Sequence, residues 1–146
     1  MTGRDERGTA LVEVVWLSVL LLVPLVYVVL AVFEVQRTAY AVTAATAAAA
    51  RAYSLAPSQE LGRRQASIAA GTALGDQGLA ADAGAVRVSC QPAPGDCLRP
   101  GSVVLARLDY QVALPLLPYA LGGHTPSIRV SAEQRVPVGR FREGRP

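Results

Sequence analysis

The sequence predicts an α+β fold: a long N-terminal membrane-spanning helix that continues into an alanine-rich helix, a second short helix, and a small three-stranded antiparallel sheet. Three observations predict it. A 20-residue apolar run without a charge lies near the N-terminus, an alanine-rich stretch follows it, and apolar and polar residues alternate beyond residue 85. Long apolar runs are typical of membrane helices, and a period of two is typical of strands with one buried face.

Length and composition limit the architecture. The chain has 146 residues, 51% hydrophobic and 17% charged, whereas a typical soluble domain is about 25% charged. One membrane anchor plus a domain of about 100 residues fits this length, and two ordinary domains do not. The high apolar content also argues against intrinsic disorder. The net charge of +3 divides unequally, because the chain carries −2 up to Glu34 and +5 after it.

The apolar run comprises residues 14–33, VVWLSVLLLVPLVYVVLAVF, between Glu13 and Glu34. As a helix it rises roughly 30 Å, the thickness of the hydrocarbon core of a bilayer. The Ser18 hydroxyl can bond back to its own helix, and Pro24 is tolerated in membrane helices. No other segment is apolar enough to surround such a helix, so we expect a membrane span rather than a buried core helix.

A cleavable secretory signal is the alternative, since residues 39–41 (Ala-Tyr-Ala) have the small-x-small form of a cleavage site. The apolar run is longer than the usual 7–15 residues of such signals, and polar residues 34, 36 and 37 intervene. An uncleaved anchor is therefore favoured. Arg4 and Arg7 precede the span, and positive residues favour the cytoplasm, which gives a slight preference for a cytoplasmic N-terminus.

The helix is expected to continue beyond the membrane, because residues 34–55 contain no Gly or Pro and are rich in alanine. Small residues four apart, at Ala41, Ala45 and Ala49, allow close approach to another helix. Plain alanine bias is the alternative explanation. Pro57 ends the run, and Ser58 is the expected N-cap of a second helix over residues 59–74.

Three strands are predicted after residue 85, with short connections that favour an antiparallel sheet packed against the helices. In each strand, apolar residues alternate with polar ones. The apolar residues of the first strand are Val86, Val88 and Cys90. Those of the second are Val104, Ala106, Leu108, Tyr110, Val112 and Leu114, and those of the third are Ile128, Val130, Ala132, Val136 and Val138.

Cys90 and Cys97 flank a turn, Gln-Pro-Ala-Pro-Gly-Asp, between the first two strands. The spacing is wrong for a CxxC redox pair, and only His124 could complete a metal site. We expect a disulfide in an oxidising compartment, with two free thiols as the alternative. Closing so short a loop stabilises by roughly 2–3 kcal/mol. The pair therefore indicates an extracytoplasmic domain.

The sequence shows no enzyme motif and no cofactor site. His124, the only histidine, lies in a Gly/Pro loop without a nucleophile motif, a phosphate loop or a carboxylate pair. Residues 114–121, LPLLPYAL, are predicted as core or as a contact surface for a partner or the membrane. The Arg-rich end, with Arg135, Arg140, Arg142 and Arg145, is predicted as a solvated tail, with contact to anionic lipid or polymer as the alternative. Nucleic-acid binding lacks any motif or aromatic platform.

The junction before the span is the most specific motif. Gly8 closes a short charged leader, four uncharged residues follow, and Glu13 precedes the apolar run. A carboxylate at the edge of a membrane span is costly unless it finds a partner. A simple helix-start acid, favoured by the helix dipole, is the alternative.

Gly8 followed by Glu13 resembles the processing site of type IV prepilins and pseudopilins. The N-terminal third is similar to TadE-like proteins of tight-adherence (Tad/Flp) pilus systems, through Gly-x-Ala-x-Val-Glu at residues 8–13, Pro24 in the span, and the alanine-rich helix beyond it. Two departures are the residues Val-Val-Trp at 14–16 and the Cys pair. The resemblance implies cleavage after Gly8 on the cytoplasmic side, with Thr9 as the new N-terminus and Glu13 as the fifth mature residue.

The resulting organisation is a leader at 1–8, a helix at 9–56, an extracytoplasmic domain at 57–140 and an Arg-rich tail at 141–146. The resemblance implies a pseudopilin or minor pilin acting in pilus assembly or adhesion, and not an enzyme. Its implied partners are a prepilin peptidase, other pilin subunits, the assembly platform and membrane lipid. The alternative is an unprocessed single-pass accessory protein with an extracytoplasmic binding domain; an anchored hydrolase using His124 is more remote.

Overall fold

The computed structural model describes residues 6–80, 86–113 and 127–140, and its elements follow the predicted order. The helices are α1 (Glu6–Leu55) and α2 (Gln59–Gly75), and the strands are β1 (Val86–Gln91), β2 (Val103–Ala113) and β3 (Ser127–Pro137). The strands form one antiparallel sheet in the order β1-β2-β3. The predicted α+β class is confirmed.

Helix α1 is a single helix of 50 residues that contains Pro24 without ending there. Its length is roughly 75 Å. The Ser18 hydroxyl donates to the Val14 carbonyl at 2.7 Å, and three threonine hydroxyls bond back four residues in the same way, at Thr38, Thr43 and Thr46. These bonds satisfy the hydroxyl groups within the helix. These four hydroxyl groups therefore need no partner outside α1.

Helix α2 begins at the predicted cap, where the Leu61 N–H donates to the Ser58 hydroxyl at 3.4 Å. Its C-terminal turn closes when the Leu79 N–H reaches back to the Leu74 carbonyl at 3.0 Å. Gly78 has a φ of +71° in this turn. That left-handed conformation favours a residue without a Cβ atom, so the glycine fixes where α2 ends.

The core lies between the two helices and one face of the sheet. Helix α1 packs against β2 and β3, and α2 packs along α1 and also reaches β1. The alanines predicted to allow close approach are buried in this core, so their partner elements belong to the same chain. The cluster contains Ala41, Val42, Ala45, Ala49, Tyr53, Ala66, Ala70, Leu74, Cys90, Cys97, Val104, Leu108 and Val138.

Tyr53 is the largest fully buried side chain, at 1% exposure. A Cβ atom added at Gly62 of α2 would lie 3.0 Å from the Tyr53 ring and 3.3 Å from the Ala56 methyl group. The ring therefore occupies the space that a larger residue at position 62 would need. Close packing of α1 on α2 depends on this pairing of a large residue with glycine.

Burial gives the Tyr53 phenol a pH-dependent effect on stability. Desolvation raises the pKa of Tyr53, and the charge of Arg63 opposes the shift. The folded domain thus favours the neutral phenol, so this stabilisation is complete below the unfolded-state pKa of about 10 and is lost as pH rises through the folded-state pKa. We expect the urea midpoint of the wild type to fall more steeply above pH 10 than that of Tyr53→Phe. Parallel pH profiles would contradict this expectation.

Candidate processing site and membrane-spanning helix

The first turns of α1 contain the predicted processing residues. The helix begins at Glu6, so the backbone of Gly8 and Thr9 is helical. Glu13 lies five residues after Gly8, about 7.5 Å along the helix axis, and its side chain is exposed. Among residues 10–80, 86–113 and 127–140, none forms an ion pair with Glu13. Its carboxylate is therefore accessible to a group from outside the chain.

The next part of α1 exposes apolar side chains on every side. The large apolar residues between Leu11 and Phe33 that the structure leaves exposed have 45–70% of their surface accessible. The most apolar 18-residue window has a mean hydropathy of 2.7, and none of it is buried. The core helix of a soluble protein would be mostly covered. Helix α1 is thus long and apolar enough to cross a membrane and lacks the burial of a core helix.

The folded domain begins to bury one side of α1 before the apolar run ends. All residues from 10 to 26 are exposed, whereas Tyr27, Ala31, Glu34 and Val35 are half-buried and Thr38 is fully buried. Their spacing of three and four residues places them on one face of α1. The apolar run of residues 14–33 therefore consists of a fully exposed part and a last part covered along one face.

Arg37 connects α1 to the end of α2. Its guanidinium donates a hydrogen bond to the Gln77 carbonyl, and a Cβ atom added at Gly78 would lie 3.3 Å from the same guanidinium. Arg37 follows Phe33 by about one turn, so this contact joins the end of α2 to α1 just after the apolar run. The sequence predicted no contact for Arg37. Its position as the first cation after the apolar run is the feature that distinguishes it from the other arginines.

The predicted disulfide is confirmed at the opposite end of the domain. The sulfur atoms of Cys90 and Cys97 are 2.07 Å apart, and the two residues are 2% and 4% exposed. Gln59, at the start of α2, donates its side-chain N–H to the Gly95 carbonyl inside the cysteine loop at 2.8 Å. The loop is thus held against the start of α2, far from Arg37.

The outer face of the sheet carries opposed arginines. Arg87 of β1 is the register partner of Arg107 of β2, and like charges directly opposite each other are destabilising. Asp109 lies 3.9 Å from Arg87 and 3.5 Å from Arg107, so one carboxylate offsets both. Arg135 pairs with Glu133 at 3.0 Å on β3. The alternation in the sequence predicted that these charges share one face of the sheet. It did not predict which of them pair with each other.

The remaining predicted residues divide into two groups. Arg135 and Arg140 are exposed, whereas His124, the segment 114–121, Arg142 and Arg145 lie outside the described residues. In the described ranges, no three His, Cys, Asp or Glu residues come close enough to hold a metal ion.

The chain matches no protein-family model, no curated protein and no solved structure.

Proposed function

We propose that the chain is a TadE-like pseudopilin or minor pilin, inserted with its N-terminus in the cytoplasm and trimmed after Gly8 for pilus assembly. The observation that carries the proposal is the continuity of one helix. Gly8, Glu13, the exposed apolar segment and the domain-bearing end all belong to α1. A cut after Gly8 leaves both the membrane segment and the folded domain attached to the new N-terminus.

Trimming creates a charge that can pair with Glu13. The new ammonium group at Thr9 and an exposed Glu13 carboxylate of a neighbouring subunit carry opposite charges. Pairing them offsets the cost of placing two charges in an apolar bundle. Thr9 and Glu13 are four residues apart, or about 6 Å along the axis. Neighbouring α1 helices would therefore be staggered by about this distance.

The disulfide supports a location of the domain outside the cytoplasm. Disulfides persist in oxidising compartments and are rare in the cytosol. A buried Cys90–Cys97 bond thus agrees with the orientation that Arg4 and Arg7 favour. In this arrangement Arg37 and the end of α2 that it contacts lie near the outer surface of the membrane.

Intact-mass measurement tests the trimming. The chain is produced together with its own prepilin peptidase, and the expected product lacks Met1–Gly8. Gly8→Ala should abolish trimming, because a side chain is added at the residue preceding the cut. Gly3→Ala, a matched change elsewhere in the leader, should be trimmed normally. Glu13→Ala should be trimmed yet should fail to assemble, because the ammonium group loses its counter-charge.

Other outcomes would contradict the proposal. A full-length product in the presence of active peptidase favours the unprocessed accessory protein, and a cut after Ala41 favours a secretory signal. Normal assembly of the Glu13→Ala variant contradicts the charge pairing but leaves the trimming intact.

A further inference from the structure

Among the strands that the structure describes, β3 is an edge strand, and none of them pairs with its outer side. Val138, just after β3, donates its N–H to the Ser102 carbonyl at 2.8 Å, so the backbone of Val138 faces β2. Backbone groups alternate between the two sides of a strand, so the odd-numbered residues of β3 direct theirs away from β2. Their N–H groups belong to Ser127, Arg129, Ser131, Glu133 and Arg135. Across the described residues none of these groups has a backbone partner.

The apolar layer beneath the sheet is also incomplete on this side. Val104, Ala106 and Leu108 of β2 are 0% exposed. The corresponding inward-facing residues of β3 are only half-buried, and Ile128 is 42% exposed. One more strand beside β3 would cover these residues and satisfy the backbone groups at the same time.

We propose that the outer edge of β3, from Ser127 to Pro137, binds an extended segment of a different protein as a fourth strand. The segment carries a carboxylate next to Arg129. Unpaired strand edges of this length are templates for strand addition, and proteins commonly protect them with charges or proline. Pro137 protects only the last position, where it lacks an N–H group.

The charges on β3 determine which segment fits. Glu133 and Arg135 already pair with each other. Arg129 faces the uncharged Gln111 on β2, and the described residues include no carboxylate paired with it. A carboxylate on the added strand would lie directly opposite Arg129, where opposite charges stabilise a sheet.

A second copy of this chain fits the edge less well. Antiparallel pairing of two β3 strands turns one copy end over end, so the two α1 helices would point in opposite directions. Two chains inserted the same way in one membrane cannot adopt that arrangement. Parallel pairing with β1 of a neighbouring copy leaves Arg129 without a counter-charge, because β1 (Val86–Gln91) contains no Asp or Glu.

This inference deepens the proposed function by naming how a partner docks on the domain, and it rests on that function only for the shared orientation of neighbouring copies. Its test does not involve the leader. Failure of strand addition therefore leaves trimming after Gly8 unaffected, and failure of trimming leaves the edge of β3 available.

The probe is an 11-residue peptide that pairs antiparallel with β3. Threonines continue the face that bears Arg129, valines continue the face that bears Val130, and one glutamate is placed opposite Arg129. A second peptide has lysine in place of that glutamate. Binding of each labelled peptide to the full chain in lipid nanodiscs is measured by fluorescence anisotropy. We expect the glutamate peptide to bind about two- to fivefold more tightly, and Arg129→Glu to invert that preference.

Ser131→Pro tests the backbone contacts directly. It removes an outward N–H group without removing a bond to β2, so binding should weaken at least about tenfold. Ser131→Ala keeps the N–H group and should bind within about twofold of the wild type. A third measurement needs no variant: a glutamate peptide that is N-methylated wherever its N–H would point to β3 should not bind wild-type protein.

Three outcomes would overturn the proposal. The first is equal binding of the unmodified and N-methylated peptides, and the second is no detectable binding of either unmodified peptide to the wild type. In the third, the wild type self-associates in nanodiscs and Ser131→Pro abolishes this, which identifies a second copy as the occupant.

Discussion

Replacing Tyr53 by alanine is expected to lower the free energy of unfolding of the extramembrane domain by about 3–5 kcal/mol. Tyr53 is 1% exposed, and its ring fills the space above Gly62 where α1 meets α2. Collapse of the two helices into the void is opposed because hydrogen bonds at Gln59 and at the Gln77 carbonyl hold α2 at both ends. Pulse proteolysis of the full chain in detergent micelles at increasing urea concentration measures the change.

Tyr40→Ala is the matched control for this substitution. Tyr40 lies on the same helix but is 81% exposed, so its removal leaves no cavity and should change stability by less than about 0.5 kcal/mol. Equal losses for the two variants would show that aromatic residues act through helix α1 itself rather than through the core of the domain.

The order of the elements could be predicted because each has a local signal. The uncharged run predicted the exposed apolar part of α1, Ser58 and Pro57 predicted the boundary between the helices, and alternation predicted all three strands. The disulfide was predictable because only seven positions separate its two cysteines. Each of these signals lies within one continuous segment of the chain, so no knowledge of distant contacts was needed.

The covered face of α1 could be predicted only in part, at Ala41, Ala45 and Ala49. Alanine and valine occupy both the buried and the exposed sides of this helix, so its sequence has no amphipathic pattern to mark one face. Thr38 and Thr46 are fully buried, while Tyr40 and Leu55 are exposed. The hydroxyl groups of Thr38 and Thr46 bond within the helix, which removes the usual cost of burying a polar residue.

The candidate sites also differ in whether the sequence alone could predict them. Gly8 and Glu13 form a short motif whose spacing is visible in the sequence. The open edge of β3 depends on strand order, and alternation does not specify which strand is central. Arg37 and Gln77 are 40 residues apart, and their contact follows from the antiparallel packing of α2 on α1. Function assigned from the leader and function assigned from the sheet thus rest on independent observations.

Removal of the disulfide is expected to have the second-largest effect on stability. The double variant Cys90→Ala/Cys97→Ala should lose about 2–3 kcal/mol, because opening a short loop restores conformational entropy mainly to the unfolded chain. Both residues are buried in the core cluster, so the loss should appear as unfolding of the whole domain in the same proteolysis assay. It should not be confined to fraying of the loop next to Gln59.

Reductant provides the control for the double variant. Dithiothreitol should lower the urea midpoint of the wild type toward that of the variant and leave the variant itself unchanged. A variant as stable as the wild type, or an equal effect of reductant on both proteins, would contradict a structural role for the bond. If the bond has that role, a domain retained in a reducing cytosol lacks about 2–3 kcal/mol of its stability. The stability of the domain is thereby coupled to the redox state of its compartment.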